Sequence, residues 1–147
     1  GQVVIAGAKA AVERAIEGCK ARGAKRALPL PVSVPSHCEL MRPAAERFAE
    51  SIAAINWQAP QIPLVQNVSA AVAADLDTLK RDLLEQLYKP VRWVESVQTL
   101  AANGATELVE CGPGKVLAGL NKRCAEGVST SNLNTPDAFA ATRAALA

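Results

Sequence analysis

Aromatic side chains are scarce: two tryptophans, one tyrosine and two phenylalanines among 147 residues, although half the chain is apolar. With so few large rings and so much alanine, the interior is expected to be helices packed closely against a sheet, not an aromatic-rich sandwich. Histidine is rarer still, a single residue at position 37, and the four cysteines (Cys19, Cys38, Cys111 and Cys124) lie far apart with no Cys-x-x-Cys pair. That pattern argues against a zinc site and against a disulfide framework, so no metal is expected. Charge of one sign is lacking too. Sixteen basic and fourteen acidic side chains leave a formal net charge of +2, far from the field that nonspecific nucleic-acid binding needs. No apolar run reaches the roughly 20 residues that cross a bilayer, and the start, Gly1-Gln2-Val3-Val4-Ile5, carries no basic-then-apolar leader. Neither nucleic acid nor membrane is an expected partner, and the setting is expected to be cytoplasmic. The abrupt opening in an apolar run reads as a cut from something longer.

What is present is alternating strand and helix pattern. Gln2 to Ala6 is a β-branched run closed by Gly7, followed by Val12, Ile16 and Cys19 at helical spacing. Gly23 ends that helix, and Ala27 to Val34 reads as extended chain broken by Pro29 and Pro31, giving a βαβ-like unit. Met41, Ala45, Phe48, Ile52 and Ile55 mark the next helix, with Pro43 in its first turn. Leu64 to Val68 reads as a buried strand. Asp75 caps a helix striped by Leu76, Leu79, Leu83 and Leu87 and stopped by Pro90. A further helix runs from Val91 to about Ala102 and stops at Asn103-Gly104. Leu108 to Cys111 reads as strand, and Gly112-Pro113-Gly114 as turn. Lys115 to Arg123 reads as a short helix with Val116, Leu117 and Leu120 inward, and Val128 to Leu133 as a last strand.

The fold class is therefore α/β, with a boundary near Val34. Strands alternating with helices imply a parallel sheet, yet only two or three strands are available for it. Such a sheet is normally buried on both faces, so its shortage of strands points to strands outside this sequence.

His37 stands between a proline-stiffened extended segment and a helix start, where a ring can project into a cleft, and imidazoles exchange protons near neutrality. The ordinary reading of a lone histidine is a surface or capping residue. Its flanks change that reading. Val32-Ser33-Val34-Pro35-Ser36-His37-Cys38-Glu39-Leu40-Met41 closely resembles the segment bearing the catalytic histidine of the malonyl-CoA:acyl carrier protein transacylase family of bacterial fatty acid synthesis. Gly1 to Gly7, Ala24 to Leu30, Gln86-Leu87-Tyr88-Lys89-Pro90-Val91 and Gly112-Pro113-Gly114-Lys115-Val116-Leu117 resemble further signatures of that family, in family order.

The resemblance implies that a serine attacks malonyl-CoA, becomes malonylated, and passes the acyl group to the pantetheine thiol of acyl carrier protein. His37 is then the shared general acid and base. The backbone carbonyl of Gln86 is implied as its orienting partner, in place of the carboxylate of a full triad. Malonyl-CoA is a substrate, and no cofactor is implied. Residues 1–34 become part of a small ferredoxin-like subdomain, and 35–147 the C-terminal portion of a large α/β-hydrolase-like subdomain, with the active site between them. The family's serine lies upstream in a Gly-His-Ser-X-Gly elbow, and no Gly-X-Ser-X-Gly occurs here. The malonyl-binding arginine and the oxyanion-hole amides are expected upstream as well. The chain is thus expected to be inactive alone, its further partner being the missing N-terminal part of the same enzyme.

Other chemistry fares less well. Gly112-Pro113-Gly114-Lys115 fails the phosphate-loop spacing, because Val109 holds the first glycine's place and Val116 that of the Ser or Thr. Cys38 adjoins His37, but neighbours in extended chain point to opposite sides, which favours a structural thiol. Ser36 is a candidate contact for the acyl group by analogy with related acyltransferase domains. Lys20, Arg22, Lys25, Arg26, Lys115, Lys122 and Arg123 make two basic clusters, of which Arg26, Lys122 and Arg123 are candidates for docking an acidic carrier protein. Two alternatives stand beside this reading: an acyltransferase domain of a modular synthase, and a non-catalytic module that binds the carrier.

Overall fold

The structure, a computed structural model, describes residues 2–146. In chain order the elements are α1 (Lys9–Ala21), a 3-10 turn (Glu39–Met41) running into α2 (Arg42–Ala53), β1 (Val65–Gln66), β2 (Ala71–Val72), α3 (Leu76–Glu85), α4 (Trp93–Ala102), β3 (Glu107–Glu110), α5 (Val116–Asn121), β4 (Ser129–Asn132) and α6 (Pro136–Ala145). They form two compact units, one of residues 2–61 with 73–91, the other of 62–72 with 92–146.

In the first unit, α1 ends at Arg22, and Gly23 follows at φ 86, a left-handed conformation that costs glycine nothing. Val12 and Ile16 are half-covered, while Cys19 is exposed. The flanking segments do not pair: neither Gln2 to Ala6 nor Ala27 to Val34 forms a strand, so the expected βαβ-like unit is a helix between two unladdered segments. The reason is the backbone's need for a partner. No described strand stands beside either segment, and prolines at 29, 31 and 35 have no N–H to donate. Their apolar side chains stay in solvent, Val3 at 85% exposure and Val32 at 71%.

Pro43 is accommodated in the first turn of α2, where its missing N–H would have had no partner. This helix buries Ala45 and Ile52 and packs against α3. Trp57 donates its indole N–H at 2.8 Å to the Ile52 carbonyl, which also accepts the Ile55 N–H at 3.3 Å at the helix end. Asp75 caps α3 by accepting the Thr78 N–H at 2.7 Å, which holds its carboxyl below the usual aspartate range. Leu79 is the buried apolar residue of this helix, at 5% exposure, and the helix ends at Glu85, short of Pro90.

In the second unit, β1 and β2 make a two-residue antiparallel pair, Val65 opposite Val72 and Gln66 opposite Ala71. The expected strand over Leu64 to Val68 is cut short because the chain reverses at once through Asn67 to Ala70, where Ala70 adopts φ 55. Helix α4 is fastened to this hairpin. The Arg92 N–H reaches the Asn67 carbonyl at 2.8 Å, and the Thr99 hydroxyl reaches the Ala70 carbonyl at 2.7 Å. Asn103 and Gly104 end α4 as expected, Gly104 at φ 91. Val97, at 1% exposure, is the most deeply buried large side chain described.

β3 and β4 run parallel in register, Glu107 opposite Ser129 through Glu110 opposite Asn132, with α5 packed on both. A parallel pair needs such a crossover, and the α/β class holds at that level. The face of α5 differs from expectation: Val116 is 71% and Leu117 37% exposed, while Ala118 and Asn121 are buried. Polar anchors set that face. Glu110 accepts the Ala118 N–H at 2.8 Å, and Trp93 donates to the Asn121 side-chain oxygen at 3.0 Å. Thr135 caps α6 by accepting the Ala138 N–H at 3.1 Å, with Pro136 at its first position.

Candidate active site

Helix α3 stops at Glu85, and a helix leaves the last carbonyls of its backbone without intrahelical partners. Two carbonyls just past that end meet His37. The Gln86 carbonyl lies 2.8 Å from the ring Nδ1, and the Leu87 carbonyl accepts the His37 backbone N–H at 3.0 Å. A carbonyl only accepts, so Nδ1 carries the ring proton and Nε2 is left as an acceptor. The Gln86 side-chain amide is also near Nδ1, at 3.3 Å. The carbonyl is the shorter contact.

The backbone that presents this ring is unusual. Ser36 donates its N–H to Val34 at 2.9 Å, closing a tight bend, and His37 sits at φ 64. A non-glycine residue in that region costs on the order of 1 kcal/mol or more. The neighbouring residues then fix the exit from the bend: the Cys38 thiol donates to the Pro35 carbonyl at 3.2 Å, and the Met41 N–H to the Cys38 carbonyl at 2.9 Å. Cys38 is half-buried with its thiol engaged. His37 is exposed, and its described side-chain hydrogen bonds are all at Nδ1.

A charged cluster joins residues that follow His37 and Leu87 in sequence. The Arg42 guanidinium donates to both oxygens of Glu39, at 2.7 and 2.9 Å, and stacks on the Tyr88 ring with 4.1 Å to its centroid. The bond from Arg42 holds the Glu39 carboxyl below its ordinary range, and the Glu39 bond raises Arg42 in turn. Lys89 is occupied by Glu85 at 2.8 Å.

Ser36 is exposed, and its backbone N–H is spent on the bend. Arg26, Lys122 and Arg123 are all exposed. Arg26 belongs to the first unit, and Lys122 and Arg123 to the second. The Gly112 to Gly114 turn joins β3 to α5, and the carboxylate of Glu110 occupies an N–H of that helix's first turn. An acidic side chain in that place is opposed to phosphate binding.

Known proteins of one kind match this chain. The malonyl CoA-acyl carrier protein transacylase of Escherichia coli K12 is 55% identical over 141 residues, 96% of this chain and 46% of its own length. That of Bacillus subtilis 168 is 46% identical over 137 residues, 93% of this chain and 43% of its own. Among solved structures, the malonyl-CoA:acyl carrier protein transacylase of Xanthomonas oryzae matches with a TM-score of 0.90 at 47% identity, over 93% of this chain and 44% of that one. Over nearly its whole length the chain is similar to malonyl-CoA:acyl carrier protein transacylases. It spans a little under half the length of the curated transacylases it matches and corresponds to their C-terminal part. A malonyl-transacylase solved in complex with its type II PKS acyl-carrier protein also matches, with a TM-score of 0.85 at 46% identity, over 90% of this chain and 43% of that one. No family model matches the chain.

Two features of the site escape a reading of the sequence. The Leu87 carbonyl is a second tie to His37, and a backbone group 50 positions away leaves no mark in the residue type. The Glu39, Arg42 and Tyr88 cluster is half legible, since acid and base three apart at a helix start form a recognisable pair. The stacking of Arg42 on the chain's single tyrosine requires the folded contact.

Proposed function

We propose that this chain supplies the general acid and base for moving a malonyl group from malonyl-CoA to the pantetheine thiol of an acyl carrier protein, through an ester on a serine outside this sequence. The observation that carries the reading is the 2.8 Å contact between His37 Nδ1 and the Gln86 carbonyl. With the proton held there, Nε2 has its lone pair free for a hydroxyl proton.

In the first half-reaction, Nε2 takes the proton of the serine hydroxyl as its oxygen bonds to the malonyl carbonyl carbon. The carbon–sulfur bond then breaks, and the same proton passes from Nε2 to the departing CoA thiolate. In the second half, Nε2 takes the proton of the pantetheine thiol as that sulfur attacks the ester. It returns the proton to the serine oxygen when the carbon–oxygen bond breaks. Each half begins and ends with neutral imidazole, so one ring serves both. Gln86 acts through its backbone carbonyl as the orienting group, and Ser36, beside the ring in sequence, is assigned a contact with the acyl group. Arg26, Lys122 and Arg123 are assigned to carrier docking. Residues 1–34 belong in this reading to a small ferredoxin-like subdomain and 35–147 to a large hydrolase-like one, in a cytoplasmic enzyme.

No Gly-X-Ser-X-Gly occurs in the sequence, so the chain by itself is expected to transfer nothing. The test uses the polypeptide at the full length of its relatives, given labelled malonyl-CoA and acyl carrier protein. His37→Ala should lower transfer by about 10²- to 10⁴-fold, the usual contribution of a positioned acid–base group. Transfer at the unaltered rate in that variant would remove the acyl-transfer reading.

A further inference from the structure

The two hydrogen bonds that seat His37 join segments 49 and 50 positions apart, and the ring bond is exposed to water that competes for both partners. The ring is also displayed from a left-handed residue, a conformation that persists only where neighbouring structure enforces it. Something must hold the two segments together. Arg42 sits across that junction. Its fork grips Glu39, two residues after His37, at 2.7 and 2.9 Å, and its flat face covers Tyr88, the residue after Leu87, at 4.1 Å.

We infer that Arg42 is a positioning residue for His37: by clasping Glu39 and Tyr88 at once, it keeps the imidazole on the Gln86 carbonyl and so fixes which ring nitrogen is free. The role in turnover rests on the acyl-transfer reading above, whereas the effect on the ring does not. Arginine suits this place because one planar group donates two parallel hydrogen bonds and stacks on an aromatic face, which the compact ammonium of lysine cannot do together. Lys89 does not substitute for it, being held by Glu85 at 2.8 Å. Glu39 is the fixed end of the clasp on the histidine side, and its carboxylate stays charged because the Arg42 bond lowers its proton affinity.

The experiment is nitrogen NMR of the His37 ring in the full-length polypeptide, assigned by difference from His37→Ala and recorded where imidazoles are neutral, with steady-state kinetics alongside. In the unaltered protein the proton should reside on Nδ1. Arg42→Gln should move part of the population to the Nε2–H form and lower kcat by about two- to fivefold, the worth of an exposed cation–π contact, with KM for malonyl-CoA little changed. Tyr88→Leu should reproduce both effects. Tyr88→Phe, which keeps the aromatic face, should behave as the unaltered protein. A wild-type tautomer ratio in folded Arg42→Gln and Tyr88→Leu overturns the inference, as does a Tyr88→Phe variant that behaves like Tyr88→Leu. Should His37→Ala retain full transfer, the acyl-transfer reading falls. The tautomer measurement then decides on Arg42 by itself, a shift supporting the clasp and no shift refuting it.

Discussion

At the scale of single residues, the site depends on where main-chain groups point. Gln86 contributes its carbonyl at 2.8 Å, while its side-chain amide stands 3.3 Å from the same nitrogen. The amide nitrogen is a donor and cannot bond an Nδ1 that carries a proton, whereas the main-chain carbonyl accepts that proton and persists whatever the side chain. Gln86→Ala is therefore expected to keep kcat/KM within about threefold of the unaltered full-length enzyme, the scale of one weak neutral hydrogen bond. A loss approaching that of His37→Ala in the same transfer assay would mean that the amide, not the carbonyl, orients the ring. His37 and Gln86 were nameable from the sequence because their flanking letters match a family. Leu87 and Tyr88 were not, because their part in the site comes from a contact between segments that the letters do not connect.

Among the elements, helices were legible and strands largely were not, for a physical reason. A helix is specified by neighbours three and four apart and by its caps, all local. Asp75, Pro43, Asn103-Gly104 and Gly23 each fall where the sequence places a start or stop. Strands take their definition from a partner. Gln2 to Ala6 has the composition of a strand and no described neighbour, whereas Leu108 to Glu110 has similar composition and pairs with Thr130 to Asn132. The helix α6 could have been found from Thr135-Pro136-Asp137, a cap residue followed by proline and an acid in the first turn. The Asp75 cap yields a pH prediction. Its carboxyl is held below the ordinary value chiefly by the Thr78 N–H. A group with a depressed folded value adds stability above its unfolded value and loses it as pH falls through the folded one. Thermal melts of the full-length protein should thus show Asp75→Asn, which keeps an acceptor without the charge, losing stability less steeply on the acid side. Asp75→Ala should melt a few degrees lower at neutral pH. An identical acid limb in Asp75→Asn and the unaltered protein would show that the cap's charge does not matter.

For the molecule as a whole, the near-balance of charge conceals its distribution. Most acidic groups near the site are occupied, Glu39 by Arg42 and Glu85 by Lys89, whereas Arg26, Lys122 and Arg123 are exposed and in no described ion pair. Cations left without a counter-charge act on an approaching acidic surface, and their pull reaches about 8 Å at physiological salt and farther when salt is low. If these residues dock the carrier protein, Arg26→Glu, Lys122→Glu and Arg123→Glu should each raise KM for acyl carrier protein at low salt, by about three- to tenfold for a close charge reversal. KM for malonyl-CoA and formation of the malonyl-serine ester should stay as they were, since neither step involves the carrier. The penalty should shrink as salt rises, because screening weakens the attraction in the unaltered enzyme and the repulsion in the variant together. A penalty independent of salt would indicate damage to packing, and no penalty at low salt would place the carrier's contact elsewhere on the protein.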